Sequence, residues 1–299
     1  MFWENIKEAV TSISSNKMRS LLTMLGIIIG ISSVIIITTI GGSIQSTLTA
    51  TMNSLGGNMV QAYVEARYPE NDEDWATWEQ PEMTDSDYVT QDMIDGLIEK
   101  YPDEVTGVAA QNYLGSGTIK DDADSKNYAN VNIDGITPEY LEYMKLEMHA
   151  GRNLTKADNQ GKKRVCLIAD TMAERYFAGK DPIGETLSVA TSDGGIFDFV
   201  VVGVYVYNQA LFGKVDTSIP EKDRVTELMI PLQTCFKLQG TDRTGYDYFN
   251  LMIDPLADVN QATTDVLSYF DEMYANNKNF HVSAYNMASD LGMINTVLN

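Results

Sequence analysis

Twenty consecutive residues, Leu21 to Ile40, read LLTMLGIIIGISSVIIITTI and carry no charged side chain. A surface helix of a globular protein keeps polar residues on its outer face, and this run has no such face. Its length is the ~20 residues that a helix needs to cross a hydrocarbon core. The run predicts a membrane-spanning helix, with a short segment before it and a large one after it.

The flanks give the span a direction. Lys17 and Arg19 stand directly before it, and no basic residue follows until Arg67. The positive-inside bias then predicts a cytoplasmic N-terminus and a large extracytoplasmic domain on the plasma membrane. Phe2, Ile6, Val10 and Ile13 recur at helical spacing with Glu4, Lys7 and Glu8 between them, the pattern of an amphipathic helix lying on the membrane. A secretory signal peptide is the rival reading. Against it stand the length of the apolar run, the amphipathic stretch before it and the lack of an Ala-x-Ala site after it. Inside the span, Gly26 and Gly30 have the GxxxG spacing that lets helix backbones approach, so they are the candidate helix-packing residues. Glycine is common in membrane helices, and the spacing alone is a weak signal.

Mean hydropathy is only -0.18, so one span uses up the most apolar part and the rest reads as soluble. From Gln45 onward some 255 residues remain, enough for two packed subdomains. The net charge of -21 is lopsided: the first 44 residues are locally +1, leaving 40 acidic and 18 basic residues beyond them. Such a surface disfavours nucleic acid and anionic headgroups. It either attracts cationic peptides or, more simply, keeps the domain in solution.

Along the chain, Gly42 to Leu55 continues the helix outward as a stem that Gly56 and Gly57 end. Met59 to Ala66 reads as a strand. Tyr68 to Asp87, with Trp75 and Trp78, has no period and reads as a loop whose tryptophans either form a contact site or, more simply, pin it to the domain. Thr90 caps a helix through Lys100, and Val105 to Leu114 reads as a strand. Val131 to Ile136 is a strand; Thr137 and Pro138 open a helix through Glu147. Arg164 to Ala169 is a strand, and Thr171 with Glu174 forms a capping box for a short helix. Thr186 to Ala190 and Phe197 to Tyr207 form a strand pair, followed by Leu228 to Pro231 and a buried strand-like segment around Cys235. Tyr248 to Ile253 and Phe280 to Tyr285 are strands on either side of a helix capped by Asp258 and Gln261. Met287 to Leu298 reads as a final helix.

Strand, helix, strand thus occurs near both ends, with other material between. The expected fold class is α+β: one N-terminal transmembrane helix, then a two-lobe extracytoplasmic domain of strand-helix-strand units with an inserted, mainly β lobe. The expected boundaries are 1–20 for the cytoplasmic helix, 21–41 for the span, 42–57 for the stem and 58–286 for the domain. Within it, residues 58–127 and 241–286 form a discontinuous lobe and residues 128–240 the inserted one, while 287–299 begins a further stem helix.

No catalytic constellation survives inspection. His149 and His281 are the only histidines and have no metal-ligand spacing. Gly161-Lys162, Gly179-Lys180 and Gly213-Lys214 all lack the earlier glycine of a P-loop, and neither a GxSxG elbow nor a GxGxxG loop is present. The Asp121–Asn127 connector fails as a calcium loop, with Asn127 at the turn position and Ile133 at the twelfth. Asn153-Leu154-Thr155 reads as a chance sequon. Cys166 and Cys235 read first as free buried thiols, a disulfide being the alternative. No catalytic residue, cofactor or metal is expected.

The stretch NKMRSLLTMLGIIIGISSVIIITTIGGS followed by LGGNMV resembles the opening of the MacB/FtsX-like ABC transporter permeases, a K-x-R-x-x-L-T-x-L-G-I-x-I-G pattern. NIDGITPEY, HAGRNLTKAD, RVCLIAD, DPIGETL, FVVVGVY and ELMIPL follow in the family's order. The resemblance implies a non-catalytic permease subunit that dimerises with itself or a related permease and binds a separate cytoplasmic ATPase. It implies mechanical transmission of ATP-driven changes to the external domain, in many members with a membrane-fusion adaptor, for export of peptides, antibiotics, lipoproteins or other amphiphiles. The family has four spans, three of them after the external domain, so a fragment is expected here. From another class, a membrane-anchored sensor or ligand-binding module is the alternative, and an extracellular hydrolase ranks last.

Overall fold

The computed structural model describes residues 2–15, 17–54, 59–69, 71, 75, 77–121, 127–208, 211–212, 218–241 and 243–286. The expected stem end at Gly56 and Gly57, most of the Asp121–Asn127 connector and the helix expected from Met287 lie outside them. The chain divides into two compact units, one built on the N-terminal helices and one spanning residues 56–293.

The first unit holds α1 (Phe2–Ser15) and α2 (Lys17–Ser54). Within α2 the hydroxyls turn back on their own helix. Thr23 Oγ1 donates to Arg19 O at 3.1 Å, Ser33 Oγ to Ile29 O at 2.7 Å and Thr38 Oγ1 to Val34 O at 3.0 Å. Polar side chains that satisfy themselves in this way leave the helix surface apolar.

The second unit runs β1 (Met59–Ala66), α3 (Gln91–Lys100), β2 (Val105–Ala109), β3 (Gln111–Lys120), β4 (Tyr128–Ile136), α4 (Tyr140–Tyr143), β5 (Met148–Gly151), α5 (Lys156–Gln160), β6 (Val165–Ala169), α6 (Asp170–Phe177), β7 (Thr186–Thr191), β8 (Ile196–Tyr205), β9 (Val225–Pro231), α7 (Leu232–Leu238), β10 (Tyr248–Ile253), α8 (Val259–Met273) and β11 (Phe280–Asn286). The strands form two sheets. The smaller has the order β11-β1-β10-β2 and is antiparallel throughout. With α3 and α8 it makes a β-α-β-β-α-β arrangement whose halves are separated by everything from β3 to α7. The larger sheet has the order β5-β8-β6-β9-β4-β3-β7, and β7 pairs with β8 as well. Six strands therefore close into a ring, with β5 added at β8.

Local sequence explains the smaller sheet well. Thr90 Oγ1 accepts from Met93 N at 3.3 Å at the start of α3, and Asp258 accepts from the amides of Asn260 and Gln261 at the start of α8. Ile94 and Leu97 from α3 meet Ala262, Val266 and Phe270 from α8 over Val60, Ala62, Phe249 and Leu251 of the strands. Phe249 and Phe270 sit edge to face with centroids 6.0 Å apart. Burying a side chain of this size contributes about 1.5–3 kcal/mol.

The structure corrects several expectations. The strand expected over Val105 to Leu114 is two strands in different sheets, broken at Ala110, so residues 111–120 pair within the larger sheet and the change of sheet falls well before residue 127. The segment around Cys235 is α7, a helix and not a strand. Leu232 through Phe236 are all buried, which erases the helical period, while Leu232 and Phe236 enter one core and Cys235 the other. The helix expected through Glu147 ends after Tyr143, because Lys145 takes a left-handed backbone conformation with φ 52°. The capping box expected at Thr171 is not made; α6 begins two residues earlier, with Ala169 at the N-cap, and Asp170 Oδ1 accepts from Thr171 N and Tyr207 N. A true capping box joins Thr155 and Asp158 at α5.

Gly135 lets α7 lie on β4. An added Cβ there would collide with Cβ of Cys235 and stand 3.0 Å from its Sγ.

Candidate functional site

Two features qualify, one in each unit. The first is the surface of α2. Residues Lys17–Gly41 make a stretch of 25 residues that is long and apolar enough to cross a membrane. At about 1.5 Å per residue it is about 37 Å long, against a core of about 30 Å. Its large side chains, from Leu21 to Ile40, are all exposed. Gly26 and Gly30 lie one turn apart on this helix, and a Cβ added at either would meet nothing within 4 Å. The two glycines thus form an open, narrow stripe on a wholly apolar surface. An exposed apolar face of this extent marks a surface for contact with a membrane or with another protein.

The second feature is a cleft of about 310 Å³ in the larger unit. One wall comes from the first turns of α3, with Gln91, Asp92 and Asp95. The other comes from Thr137, Pro138 and Glu139 beyond β4, and from the α5 region. Gln233 of α7 and Tyr246 complete it. Tyr246 is held by a hydrogen bond from its hydroxyl to Gln91 Oε1, and Gln91 Nε2 donates to Asp95 Oδ1 at 2.9 Å. Glu139 has its proton affinity raised, first by burial and also by the charges of Glu142 and Asp95, with Lys156 opposing. Lys156 reaches Glu139 Oε1 only at 3.9 Å, with a side chain 69% exposed.

Beside the cleft, Asp158 anchors α5. It is almost fully buried and takes Arg152 Nη1 at 2.6 Å and Lys163 Nζ at 3.0 Å, besides the amide and hydroxyl of Thr155. Burial works against ionisation, but these bonds win and hold the carboxyl well below its usual range.

The residues singled out from the sequence are scattered. Cys166 and Cys235 are free and buried. Burial pushes both thiols up, Cys235 to about 12. His281 contacts Ser283 Oγ at 3.2 Å and lies 4.0 Å from Glu65, and no group of three metal-ligating side chains converges among the described residues. Asn153 Nδ2 donates to Pro138 O at 2.8 Å. Trp75 stacks on Tyr68 and Trp78 lies tilted against both, with ring centroids 5.3–5.6 Å apart, and Trp78 packs on the smaller core. The cleft was not foreseen. Its one local signal is the Thr155-x-x-Asp158 box beside a buried polar residue, Gln233.

Fold and site together define a class: an α+β domain of two sheets that follows an apolar helix long enough to span a membrane. A sequence model of the MacB-like periplasmic core domain matches residues 20–269, and the chain belongs to that family. It is 31% identical over 186 residues to the uncharacterized ABC transporter permease YknZ of Bacillus subtilis, covering 62% of this chain and 43% of that one. It is 25% identical over 221 residues to the macrolide export ATP-binding/permease protein MacB of Neisseria gonorrhoeae, covering 72% of this chain and 30% of that one. The chain thus spans less than half the length of the curated relatives it matches. The crystal structure of the periplasmic region of MacB from Actinobacillus actinomycetemcomitans aligns with 82% of this chain and 95% of its own. Its TM-score is 0.52 at 17% identity, a likeness of fold.

Proposed function

We propose that the chain serves as a permease component of an ABC transporter. In this reading a separate cytoplasmic ATPase drives conformational change, α2 carries it across the membrane, and a two-lobe extracytoplasmic domain uses it to export peptides, antibiotics or other amphiphiles. One observation carries the reading: the family match runs from within α2 through the whole of the larger sheet and into α8 on the smaller one. Lys17 and Arg19 hold the N-terminus in the cytoplasm, where α1 lies on the membrane. Past Gly41, α2 continues without a break to Ser54, about 20 Å of stem at helical rise. A stiff helix is a good mechanical element because its backbone hydrogen bonds resist bending. The Gly26 and Gly30 stripe is where another span packs, from a second copy or a related permease, and a membrane-fusion adaptor docks outside. In this reading hydrolysis falls to the partner.

The test is affinity purification of the tagged protein from solubilised membranes of its own cell. An ABC ATPase subunit should co-purify, and a Gly26→Leu, Gly30→Leu double variant should reach the membrane yet recover far less of it. Purification without any ATPase overturns the reading. The cleft favours a second reading, a membrane-anchored ligand-binding module, in which the same purification brings down no ATPase.

A further inference from the structure

We infer that the outward face of the smaller sheet, where β1, β10 and β11 meet α4, binds a neutral β-linked glycan, with its rings stacked on tyrosines and its hydroxyls bonded by Gln61 and Asn250. Strand alternation creates the face. Val60, Ala62, Phe249, Leu251 and Val282 point into the core under α3 and α8, so Gln61, Tyr63, Tyr248, Asn250 and Tyr285 point the other way. Register then sets these side by side. Tyr63 is opposite Tyr248, and Gln61 is opposite Asn250 on one flank and Tyr285 on the other. Tyr63 and Tyr285 meet at 70° with centroids 6.2 Å apart, while Tyr248 and Tyr285 are both exposed. Neighbouring strands lie about 4.8 Å apart, so three strands spread the rings across about 10 Å, room for more than one pyranose.

On its β2 side the face ends at α4, because Ala109, opposite Asn250, is buried in the larger core with Tyr140 and Leu141. Tyr143 of α4 belongs to the same aromatic group. Burial raises the pKa of Tyr248, and the hydroxyls of Tyr285 and Tyr143 are near enough to raise it further. An unpartnered amide within this group points to a ligand. Asn250 is only 8% exposed, and its side chain makes no hydrogen bond among the described residues. Its amide atoms still reach solvent, so the group opens onto the face. A polar side chain set this deep ordinarily has a partner. Gln61, directly across the ladder, is likewise unbonded among the described residues, and each amide offers both donors and an acceptor.

Charge selects among guests. Among the described outward residues of the three strands the one carboxylate is Glu65, and it is already engaged: Ser283 Oγ donates to Glu65 Oε2 at 2.8 Å, and His281 Nε2 stands 3.2 Å from the same hydroxyl. On a chain of net charge -21, such a face suits a neutral guest. A pyranose meets each demand. Its C–H face is apolar and faintly positive, and stacks on the negative face of a tyrosine ring. Its hydroxyls donate and accept, as the two amides require. β-1,4 links keep successive rings in a flat ribbon, the shape that an open sheet face admits.

The experiment is ligand-observed saturation-transfer NMR on the full chain in micelles of a polyoxyethylene detergent, which brings no sugar of its own. The probes are cellotriose and triacetylchitotriose, with sorbitol as a polyol lacking a ring and choline as a cation that tyrosines also attract. Saturable transfer to both trisaccharides is expected, strongest at the ring C–H protons, and none to sorbitol. Tyr248→Ala and Asn250→Ala should each weaken binding at least about tenfold. Tyr248→Ala, at an exposed position, keeps the test intact should Asn250→Ala fail to fold. Tyr113→Ala, at an exposed tyrosine of β3 on the larger sheet, should leave binding intact. No saturable transfer to either trisaccharide overturns the assignment, and should Tyr248→Ala then separate sedimenting dimers, the occupant is a second copy. Equal losses in the Tyr113 and Tyr248 variants, or displacement of the trisaccharides by equimolar choline or sorbitol, also overturn it. None of these outcomes depends on an ATPase, so the site and the transporter reading fail separately.

Discussion

Thr137 and Ala110 exchange two hydrogen bonds, Ala110 N donating to Thr137 Oγ1 at 3.0 Å and Thr137 N donating to Ala110 O at 3.1 Å. The same hydroxyl donates to Val108 O at 3.1 Å. Ala110 is where the chain leaves β2 of the smaller sheet for β3 of the larger, so no ladder serves its backbone groups. Thr137, at the end of β4 and 1% exposed, stands in for the ladder.

Thr137→Val keeps the size and removes the hydroxyl, leaving Ala110 N and Val108 O buried without this partner. An unsatisfied buried group costs about 1–3 kcal/mol. Urea denaturation of the chain in micelles should show a loss of about 2 kcal/mol, with Thr137→Ser recovering most of it. A neutral Thr137→Val would mean that water reaches Ala110.

Asp158 draws Arg152, Lys163 and the cap of α5 onto one buried carboxylate. Asp158→Asn leaves two cations facing a neutral amide, and breaking a buried pair costs about 3–5 kcal/mol. Arg152 and Lys163 are half-exposed and recover hydration, which lowers the expected loss to about 2 kcal/mol. The sign of its pH dependence follows from a depressed folded pKa: the contribution is complete above the ordinary Asp range and fades as pH falls through the lower folded value. Chemical denaturation between pH 2 and pH 5 should show the wild type losing this increment and Asp158→Asn lacking it throughout.

What could be read from the residues was what depends on neighbours in sequence. The apolar stretch of α2 needs only its own twenty residues, and α3 and α8 announce themselves by Thr90 and Asp258 with apolar positions every three or four residues behind them. What escaped was set by distant partners. The break at Ala110 is fixed by Thr137, twenty-seven residues further on. The closure of the larger sheet needs β7 to pair with β3 on one side and β8 on the other. The helix around Cys235 is buried at five successive positions, Leu232 to Phe236, so its apolar residues carry no period. The cleft draws on five separated stretches between Gln91 and Tyr246, and no spacing rule links them.

Glu227 gives the pH behaviour a second limb. On β9 it stands opposite Asn132 of β4, with Asp134 on the same face two residues further along, and its Oε2 is buried without a partner among the described residues. Burial, with the charge of Asp134 adding to it, pushes Glu227 up to about 7. Burial likewise raises Asp134, Glu139 and Glu104. A carboxyl that binds its proton more tightly when folded lowers stability as pH rises, from its unfolded value near 4.5 until the folded value near 7 is passed. Asp158 acts in the opposite sense below pH 4. Stability should therefore peak in mildly acidic solution, near pH 4–5, and decline towards neutrality. Glu227→Gln keeps the shape of a protonated Glu and cannot ionise. Its expected effect is a gain of about 2 kcal/mol at pH 8, a conservative reading of the shift at about 1.4 kcal/mol per unit, with little change at pH 4.5. Denaturation midpoints of both proteins from pH 4 to pH 8 check this. Parallel curves would show that Glu227 remains ionised in the folded chain, with water reaching Oε2.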